Sequence, residues 1–164
     1  MKEIIYNNDN INLSDITSIS VRIKVLLINN GKLLIGNEDG CFMFIGGHKE
    51  DNEKLIDTLK REVKEETGAN AAIVQYIGET HYNFRTMSDE IAKTVHWYLM
   101  MSQNYYSTPQ EEEFFQDSGY YKFHEAVHLL KYANEKQMLI DAYHAYKAIY
   151  KDGLWKADKY FPKN

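Results

Sequence analysis

Residues 47–69 read GHKEDNEKLIDTLKREVKEETGA, and this stretch decides the fold of the chain. Its apolar residues recur at intervals of three and four positions, namely Leu55, Ile56, Leu59 and Val63. This periodicity predicts an amphipathic helix from about Glu53 to Thr67, and Gly68 is well placed to end it.

Three carboxylates, Glu62, Glu65 and Glu66, occupy the last turns of this predicted helix. They project from one side of the helix, where each like-charge pair costs about 0.2–0.5 kcal/mol and the helix dipole also disfavours negative charge. A charge run is usually a solvated helix face. Glu62 and Glu66, however, fall on the side of Leu59, which should be buried, while Lys60 lies opposite. The pattern indicates a bound cation, and oxygen ligands favour Mg²⁺, with Mn²⁺ as a substitute.

The spacing of these residues resembles the Nudix box, G-x5-E-x7-R-E-U-x-E-E-x-G-U, where U is a bulky aliphatic residue. Every fixed letter is present, in the order Gly47, Glu53, Arg61, Glu62, Val63, Glu65, Glu66 and Gly68. Ala69 is smaller than the family norm at the last position, and Ile45 stands where many members carry proline. The resemblance implies an α/β (α+β) fold, a Nudix-type α/β/α sandwich with a mixed central β-sheet flanked by helices.

The same resemblance implies an enzyme that hydrolyses a pyrophosphate bond in a nucleoside diphosphate linked to another moiety. Metal-activated water would attack the bond, because bound divalent ions screen the phosphate charge and acidify the water. Carried over residue by residue, the metal-binding and catalytic set is Glu62, Glu65 and Glu66. One of these three, or another Glu outside the box, would activate the water.

The resemblance also implies supporting roles within the box and close to it. Glu53 and Arg61 resemble the structural pair of the family, in which a charge-assisted hydrogen bond holds the loop against the helix. Gly47 and Gly68 shape the two ends. The backbone carbonyl of Gly46 is a candidate metal ligand, since a glycine pair lets the main chain approach closely.

An acidic run later in the chain, Glu111 to Glu113, offers one more candidate ligand. Family members often add an acidic metal ligand from a loop beyond the box, and Glu112 is the residue that we select here. An ordinary solvated acidic loop is the alternative explanation.

Candidate substrate-binding residues lie on the predicted strands and beside the glycine pair. Arg22 and Lys24 share one strand face by period-two alternation and could contact phosphates; the alternative is a pair of surface cations at a sheet edge. His48 could face phosphate, or could be an exposed loop histidine. Tyr82 and Arg85 could frame a base or leaving-group pocket, although aromatic residues at strand spacing are more often core.

The remaining pattern predicts strands separated by turns and followed by two helices. The predicted strands are Ile19–Asn29, Lys32–Gly36, Cys41–Ile45, Ala71–Phe84, Thr94–Ser102 and Gly119–Phe123. A short helix is predicted over His124–Tyr132, and a C-terminal helix from about 134 to 151. No repeat or linker divides the chain, so we predict a single domain over residues 1–164.

Composition limits the class of protein. The chain has 164 residues, 44% of them hydrophobic, and a formal net charge of −5, which argues against a broad nucleic-acid or anionic-membrane footprint. No apolar run approaches the roughly 20 residues of a membrane-spanning helix. The single cysteine, Cys41, and a start without an apolar signal segment favour the cytoplasm.

Two questions stay open at the level of sequence. The tyrosine-rich C-terminal helix is best explained by packing on the protein's own sheet, but a homodimer interface is an alternative. A Nudix-fold module that binds a nucleotide or regulates without turnover is the alternative to an enzyme; such modules commonly lose box carboxylates, and this chain keeps them all. Nudix members that act on ADP-ribose are often marked by a proline downstream of the box. The resemblance therefore argues against an ADP-ribose substrate, because no proline lies between Gly68 and Pro109.

Overall fold

The computed structural model describes residues 5–102 and 119–151. Within these ranges the strands are β1 (Ile5–Tyr6), β2 (Ser18–Asn29), β3 (Lys32–Glu38), β4 (Cys41–Met43), β5 (Ala71–Arg85), β6 (Glu90–Ser102) and β7 (Gly119–Lys122). The helices are α1 (Leu55–Thr67), α2 (Phe123–Leu129) and α3 (Ala133–Lys151), and a short 3-10 turn covers Leu13–Asp15.

The strands form one mixed sheet. Its order is β1-β5-β6-β2-β3-β4, and β7 pairs with β3 outside this order. The β2–β6 pair is parallel from Ser18 opposite Ile91 to Ile28 opposite Met101, and β1–β5 is also parallel. The other pairs are antiparallel. The predicted mixed central sheet is therefore confirmed.

Each face of the sheet is covered by a different set of helices. On one face Ile23, Val25 and Leu27 pack with Leu59 and Val63 of α1. Because successive side chains of a strand point to opposite faces, the alternate residues of β2 face the other layer. There Leu26 and Ile28 share a buried cluster with residues of α2 and α3, including Ala126, Leu139 and Ala142. This arrangement is the predicted α/β/α sandwich.

The segment at the start of the box runs antiparallel along the first half of β2. Backbone N–H groups of Ile23 and Val25 donate to the carbonyls of Gly47 and Ile45 at 3.0 and 2.9 Å. Gly46 adopts a φ of +144°, and a Cβ there would overlap the carbonyl of Ile23. Glycine is therefore required at Gly46, and this close approach brings the box beside β2 and α1.

Two predicted starts differ from the structure by two residues or more, and several predicted ends differ by one to three residues. Helix α1 begins at Leu55 rather than Glu53, because Lys54 is extended and the Glu53 carboxylate accepts from the Thr58 hydroxyl at 2.8 Å. Strand β6 begins at Glu90 rather than Thr94, because the β5–β6 hairpin pairs as far as Arg85 opposite Glu90. Sequence alternation was weak there, since the polar residues at the end of the hairpin are solvated.

Helix α3 confirms the helix predicted from about 134 to 151. Its Tyr146 is buried in the cluster that contains Leu26 and Ile28, called the α3-side cluster below. Tyr143 stacks on Phe123 of α2, with 4.1 Å between the ring centroids. These tyrosines pack within the chain, as the favoured explanation expected; the homodimer stays an untested prediction. In the described ranges, no helix is long and apolar enough to cross a membrane.

Candidate active site

A cavity of about 820 Å³ opens between the glycine pair, α1, the first half of β2 and the start of α3. Two groups of charged side chains line it. Box residues contribute Arg61, Glu62 and Glu66, and the sheet and α3 contribute Arg22, Lys24, Lys93 and Glu135. Tyr82, Trp97, Tyr132 and Asn134 add aromatic and amide groups. The cavity thus combines carboxylates, cations and flat apolar surfaces.

Arg61 connects the loop of the box to its helix. Its Nε and Nη2 atoms donate to the two carboxylate oxygens of Glu53, both at 3.0 Å, and Nη2 also donates to the carbonyl of His48 at 3.0 Å. The hydrogen bond with Arg61 is the largest cause that holds the pKa of Glu53 at about 2. A bidentate pair of this kind fixes orientation as well as charge, which is the geometry expected of an architectural pair.

The three box carboxylates occupy different environments. Glu62 and Glu66 are 7% and 3% exposed, whereas the Glu65 side chain is 36% exposed. Arg61 Nη1 donates to Glu62 Oε1 at 2.7 Å and to Glu65 Oε2 at 3.2 Å. Glu66 Oε2 accepts from the backbone N–H of Gly46 at 2.9 Å. The helical wheel predicts that Glu62 and Glu66 lie on the buried side of α1, and the structure confirms this.

The glycines at the ends of the box have separate steric reasons. A Cβ at Gly47 would overlap the carboxylate of Glu62, so only glycine leaves that carboxylate its place beside the loop. Gly68 adopts a φ of +65° after the last residue of α1, and its N–H donates to the carbonyl of Lys64 at 2.9 Å. Left-handed backbone of this kind favours glycine and ends the helix.

The donor set of the box fits a hard divalent cation. Glu62 and Glu66 lie four residues apart on α1, are buried and supply oxygen ligands, which suit such a cation. Among the described residues, no group of three His, Cys, Asp or Glu side chains is arranged to hold a metal ion. In this arrangement Glu62 and Glu65 accept hydrogen bonds from Arg61 instead. Glu112, with the rest of its acidic run, lies outside the described residues.

Three cations lie on one face of β2 and β6. Lys93 is paired with Ser20, two residues from Arg22, and Lys24 is opposite Trp97. Burial, followed by the positive charges of Arg22 and Lys24, lowers the pKa of Lys93. Arg22 Nε is buried and, among the described residues, has no hydrogen-bond partner. Cations crowded in this way are stabilised by an anionic ligand.

A family model described as "NUDIX domain" matches residues 20–143. The chain belongs to the Nudix family. A curated relative from Mycobacterium tuberculosis, named "Putative mutator protein MutT4", is 43% identical over 54 residues, which are 33% of this chain and 22% of that protein. The chain therefore spans about a fifth of the length of that relative.

Solved Nudix structures share the fold of this chain. A Nudix hydrolase from Clostridium perfringens is 17% identical with a TM-score of 0.61, covering 77% of this chain and 97% of that one. An ADP-ribose pyrophosphatase from Streptococcus suis is 16% identical with a TM-score of 0.60, covering 78% and 92%. The predictions of family and fold are confirmed, and the family match supports the prediction that this Nudix protein is an enzyme.

The predicted substrate-binding residues of this Nudix protein fall into two groups. Arg22, Lys24, His48 and Tyr82 all line the cavity. The backbone of His48 forms an isolated antiparallel β-bridge with that of Arg22. Burial, followed by the positive charge of Arg22, lowers the pKa of His48. Arg85 lies elsewhere: it is an exposed side chain at the end of the β5–β6 hairpin, is paired with Glu90 and is not part of the cavity lining.

Lys93, Asn134 and Glu135 are among the cavity residues that sequence reasoning missed. Lys93 had a usable signal, because it alternates with Val95 and Trp97 on a strand and so shares a face with them. Asn134 and Glu135 had none, since polar residues at the start of a helix are ordinary. Their place in the cavity depends on how α3 docks on the sheet.

Proposed function

We propose that this Nudix protein catalyses Mg²⁺-dependent hydrolysis of a pyrophosphate bond in a nucleoside diphosphate linked to another moiety, with Mn²⁺ as a substitute ion. The observation that carries the proposal is the pair of buried carboxylates, Glu62 and Glu66, lining the same cavity as the cations Arg22 and Lys93. Such a cavity can hold a metal-bound polyphosphate between two oppositely charged walls. A cytoplasmic location is part of the proposal and agrees with the lone Cys41.

The reaction requires water to form a bond to phosphorus while the bridging P–O bond breaks and the leaving phosphate takes a proton. Bound metal supplies charge screening and a more acidic water. Glu62, Glu65 and Glu66 would hold the ion, with the Gly46 carbonyl as a further candidate. One of these carboxylates, or another Glu, accepts the proton from water. Glu62 and Glu65, which accept hydrogen bonds from Arg61 Nη1, would have to give up these contacts in order to hold the ion.

The remaining side chains bind and orient the substrate. Arg22 Nε is buried without a partner among the described residues, so it suits a phosphate oxygen. His48 and Lys93 line the same region of the cavity. Arg61 and Glu53 keep the loop and α1 in register, so that the carboxylates do not need to reorganise during the reaction.

The test is the pair of variants Glu65→Gln and Glu66→Gln. Glutamine at either position removes a charge that would bind metal, and at position 66 it keeps an acceptor for the Gly46 N–H. We therefore expect the rate of hydrolysis to fall on the order of a hundredfold or more while folding is unchanged. Phosphate release is measured with Mg²⁺ over nucleoside triphosphates, nucleotide sugars, ADP-ribose and dinucleoside polyphosphates. Glu79→Gln is the matched control, because Glu79 bonds to His81 away from the cavity lining.

Wild-type rates in both box variants would contradict the assigned site. A nucleotide-binding module without turnover is the alternative function. It would be favoured by tight nucleotide binding in calorimetry together with no hydrolysis of the whole panel under Mg²⁺ or Mn²⁺.

A further inference from the structure

The start of α3 presents to the cavity a carboxylate that is not part of the box. Glu135 lies in the first turn of α3, is 8% exposed and lines the cavity. Its Oε1 atom lies 3.6 Å from the ammonium nitrogen of Lys24. Its Oε2 atom is buried and has no hydrogen-bond partner among the described residues. A buried acceptor without a donor costs stability, and a ligand that donates to it removes that cost.

Lys24 and Asn134 complete the polar groups at this place. The ammonium of Lys24 donates to the carbonyl of Phe44 at 3.0 Å and faces Glu135, which leaves one of its three protons for a ligand. The amide nitrogen of Asn134 donates to the hydroxyl of Tyr82, which leaves the amide oxygen as an acceptor. This part of the cavity wall therefore offers a ligand one donor, the ammonium of Lys24, and two acceptors, the carboxylate of Glu135 and the amide oxygen of Asn134.

Flat side chains border these polar groups. Tyr82 is stacked on Tyr6, with 5.3 Å between ring centroids, and is thereby held in one orientation. Tyr132 is 52% exposed and lines the cavity immediately before α3. The ring of Tyr82 already contacts Tyr6 and the ammonium of Lys93, which lies 4.8 Å from its centroid. The exposed ring of Tyr132 is therefore the surface on which a heterocycle can stack.

We infer that Glu135 and Lys24 select a heterocycle whose edge carries a carbonyl, a ring N–H and an amino group on consecutive atoms. Guanine and pterins share this edge. The carboxylate of Glu135 accepts from the ring N–H and the amino group, and Lys24 donates to the carbonyl oxygen. The inference rests on the proposed function, because it assumes that this cavity receives the substrate.

Adenine and cytosine do not match these groups of the cavity wall. Adenine and cytosine place an unprotonated ring nitrogen where guanine has its N–H, so a lone pair would face the carboxylate of Glu135. Hypoxanthine keeps the carbonyl and the ring N–H but lacks the amino group. Comparison of guanine with hypoxanthine therefore isolates the contact of the amino group.

Binding of monophosphates without divalent metal tests the inference separately from hydrolysis. Calorimetric titrations of the wild-type protein with GMP, IMP, AMP, CMP and neopterin monophosphate are compared in the presence of a chelator. We expect GMP or neopterin monophosphate to bind about ten- to a hundredfold more tightly than AMP and CMP, and more tightly than IMP. Stronger binding of neopterin monophosphate than of GMP would identify the pterin as the source of the edge.

The variant Glu135→Gln tests the residue itself. Glutamine has the same size but only one acceptor, so we expect the preference for GMP over AMP to fall by about tenfold or more. The preference is a ratio measured within one folded variant, and a melting curve verifies that it is folded. Asp141→Asn is the matched control, because Asp141 is an exposed acid on the same helix that bonds to Gln137 at 3.0 Å.

Four results would overturn the inference. These are no measurable binding of GMP or neopterin monophosphate, equal binding of GMP and AMP, an unchanged preference in Glu135→Gln, and an equal loss of preference in Asp141→Asn. A protein that shows the preference but hydrolyses nothing would contradict the proposed function and leave the base selection intact. The two failures are therefore distinguishable.

Discussion

At the scale of single residues, Arg61 links the architecture of the box to its chemistry. It donates to Glu53 in the loop and to Glu62 and Glu65 on the helix. The bond with Glu53, which is the largest cause, raises the pKa of Arg61, so this cation stays charged at every pH at which the protein is folded. One guanidinium thus orders the loop and offsets the repulsion between carboxylates.

Acid stability measures the pair of Glu53 and Arg61. The pKa of Glu53 is about 2 in the folded protein, below its ordinary value of 4.5, so its stabilisation is complete above about pH 4.5 and is lost as the pH falls towards 2. We expect the free energy of unfolding to fall less steeply between pH 5 and about pH 2 in Glu53→Gln than in the wild type. Urea unfolding at a series of pH values measures this difference.

The exposed neighbour Glu50 supplies the comparison for that measurement. Its carboxylate lies 4.0 Å from Arg61 and its side chain is 71% exposed. The Glu50→Gln variant should follow the acid profile of the wild type closely, because an exposed ion pair contributes little. Parallel profiles for Glu53→Gln and the wild type would contradict the assigned role of Glu53.

At the scale of elements, α3 serves both the core and the cavity. Leu139 and Ala142 are fully buried against the sheet, while Asn134 and Glu135 at the start of the helix line the cavity. The packed face fixes the axis of the helix, and this axis sets the position of its first turn. Packing in the middle of α3 therefore positions the polar groups at its start.

Truncation of Leu139 should measure how strongly α3 is held. Leu139 is 0% exposed, so Leu139→Ala removes buried methyl groups and leaves a cavity; we expect a loss of about 2–5 kcal/mol in the free energy of unfolding. Chemical denaturation measures this loss. His144→Ala, at an exposed position of the same helix, should change stability by less than about 0.5 kcal/mol. Equal effects of the two substitutions would show that α3 is not anchored as described.

At the scale of the whole molecule, the two hydrophobic clusters share one sheet. Strand β2 supplies Ile23 and Val25 to the α1 side and Leu26 and Ile28 to the α3 side. Because β2 packs in both layers, we expect loss of one helical layer to expose apolar residues of β2 and to destabilise the packing of the other layer. The single domain over residues 1–164 stays a prediction.

Cooperative unfolding tests that prediction. In a Trp155→Phe background, fluorescence reports Trp97, which is 1% exposed in the α3-side cluster, while hydrogen exchange of α1 amides reports the opposite layer. We expect both probes to give the same free energy of unfolding in denaturant. A separate, earlier transition for either layer would show two independently folding parts.

Sequence alone determined the features that depend on local spacing. The box from Gly47 to Gly68, the helix with Glu62 and Glu66 on its buried side and the alternating strands are all properties of neighbours along the chain. Helical and strand periodicity therefore encode them directly. The Nudix fold was implied by the resemblance of this segment to the Nudix box and not by the periodicity itself.

Only the tertiary structure decided which distant residues share the cavity. Parallel pairing of β2 with β6 brings Lys93 beside Arg22, and docking of α3 brings Glu135 to Lys24 across more than a hundred residues of chain. The same geometry keeps Arg85 at the far end of a hairpin. Contacts between remote segments depend on strand order and helix docking, and no local periodicity records either.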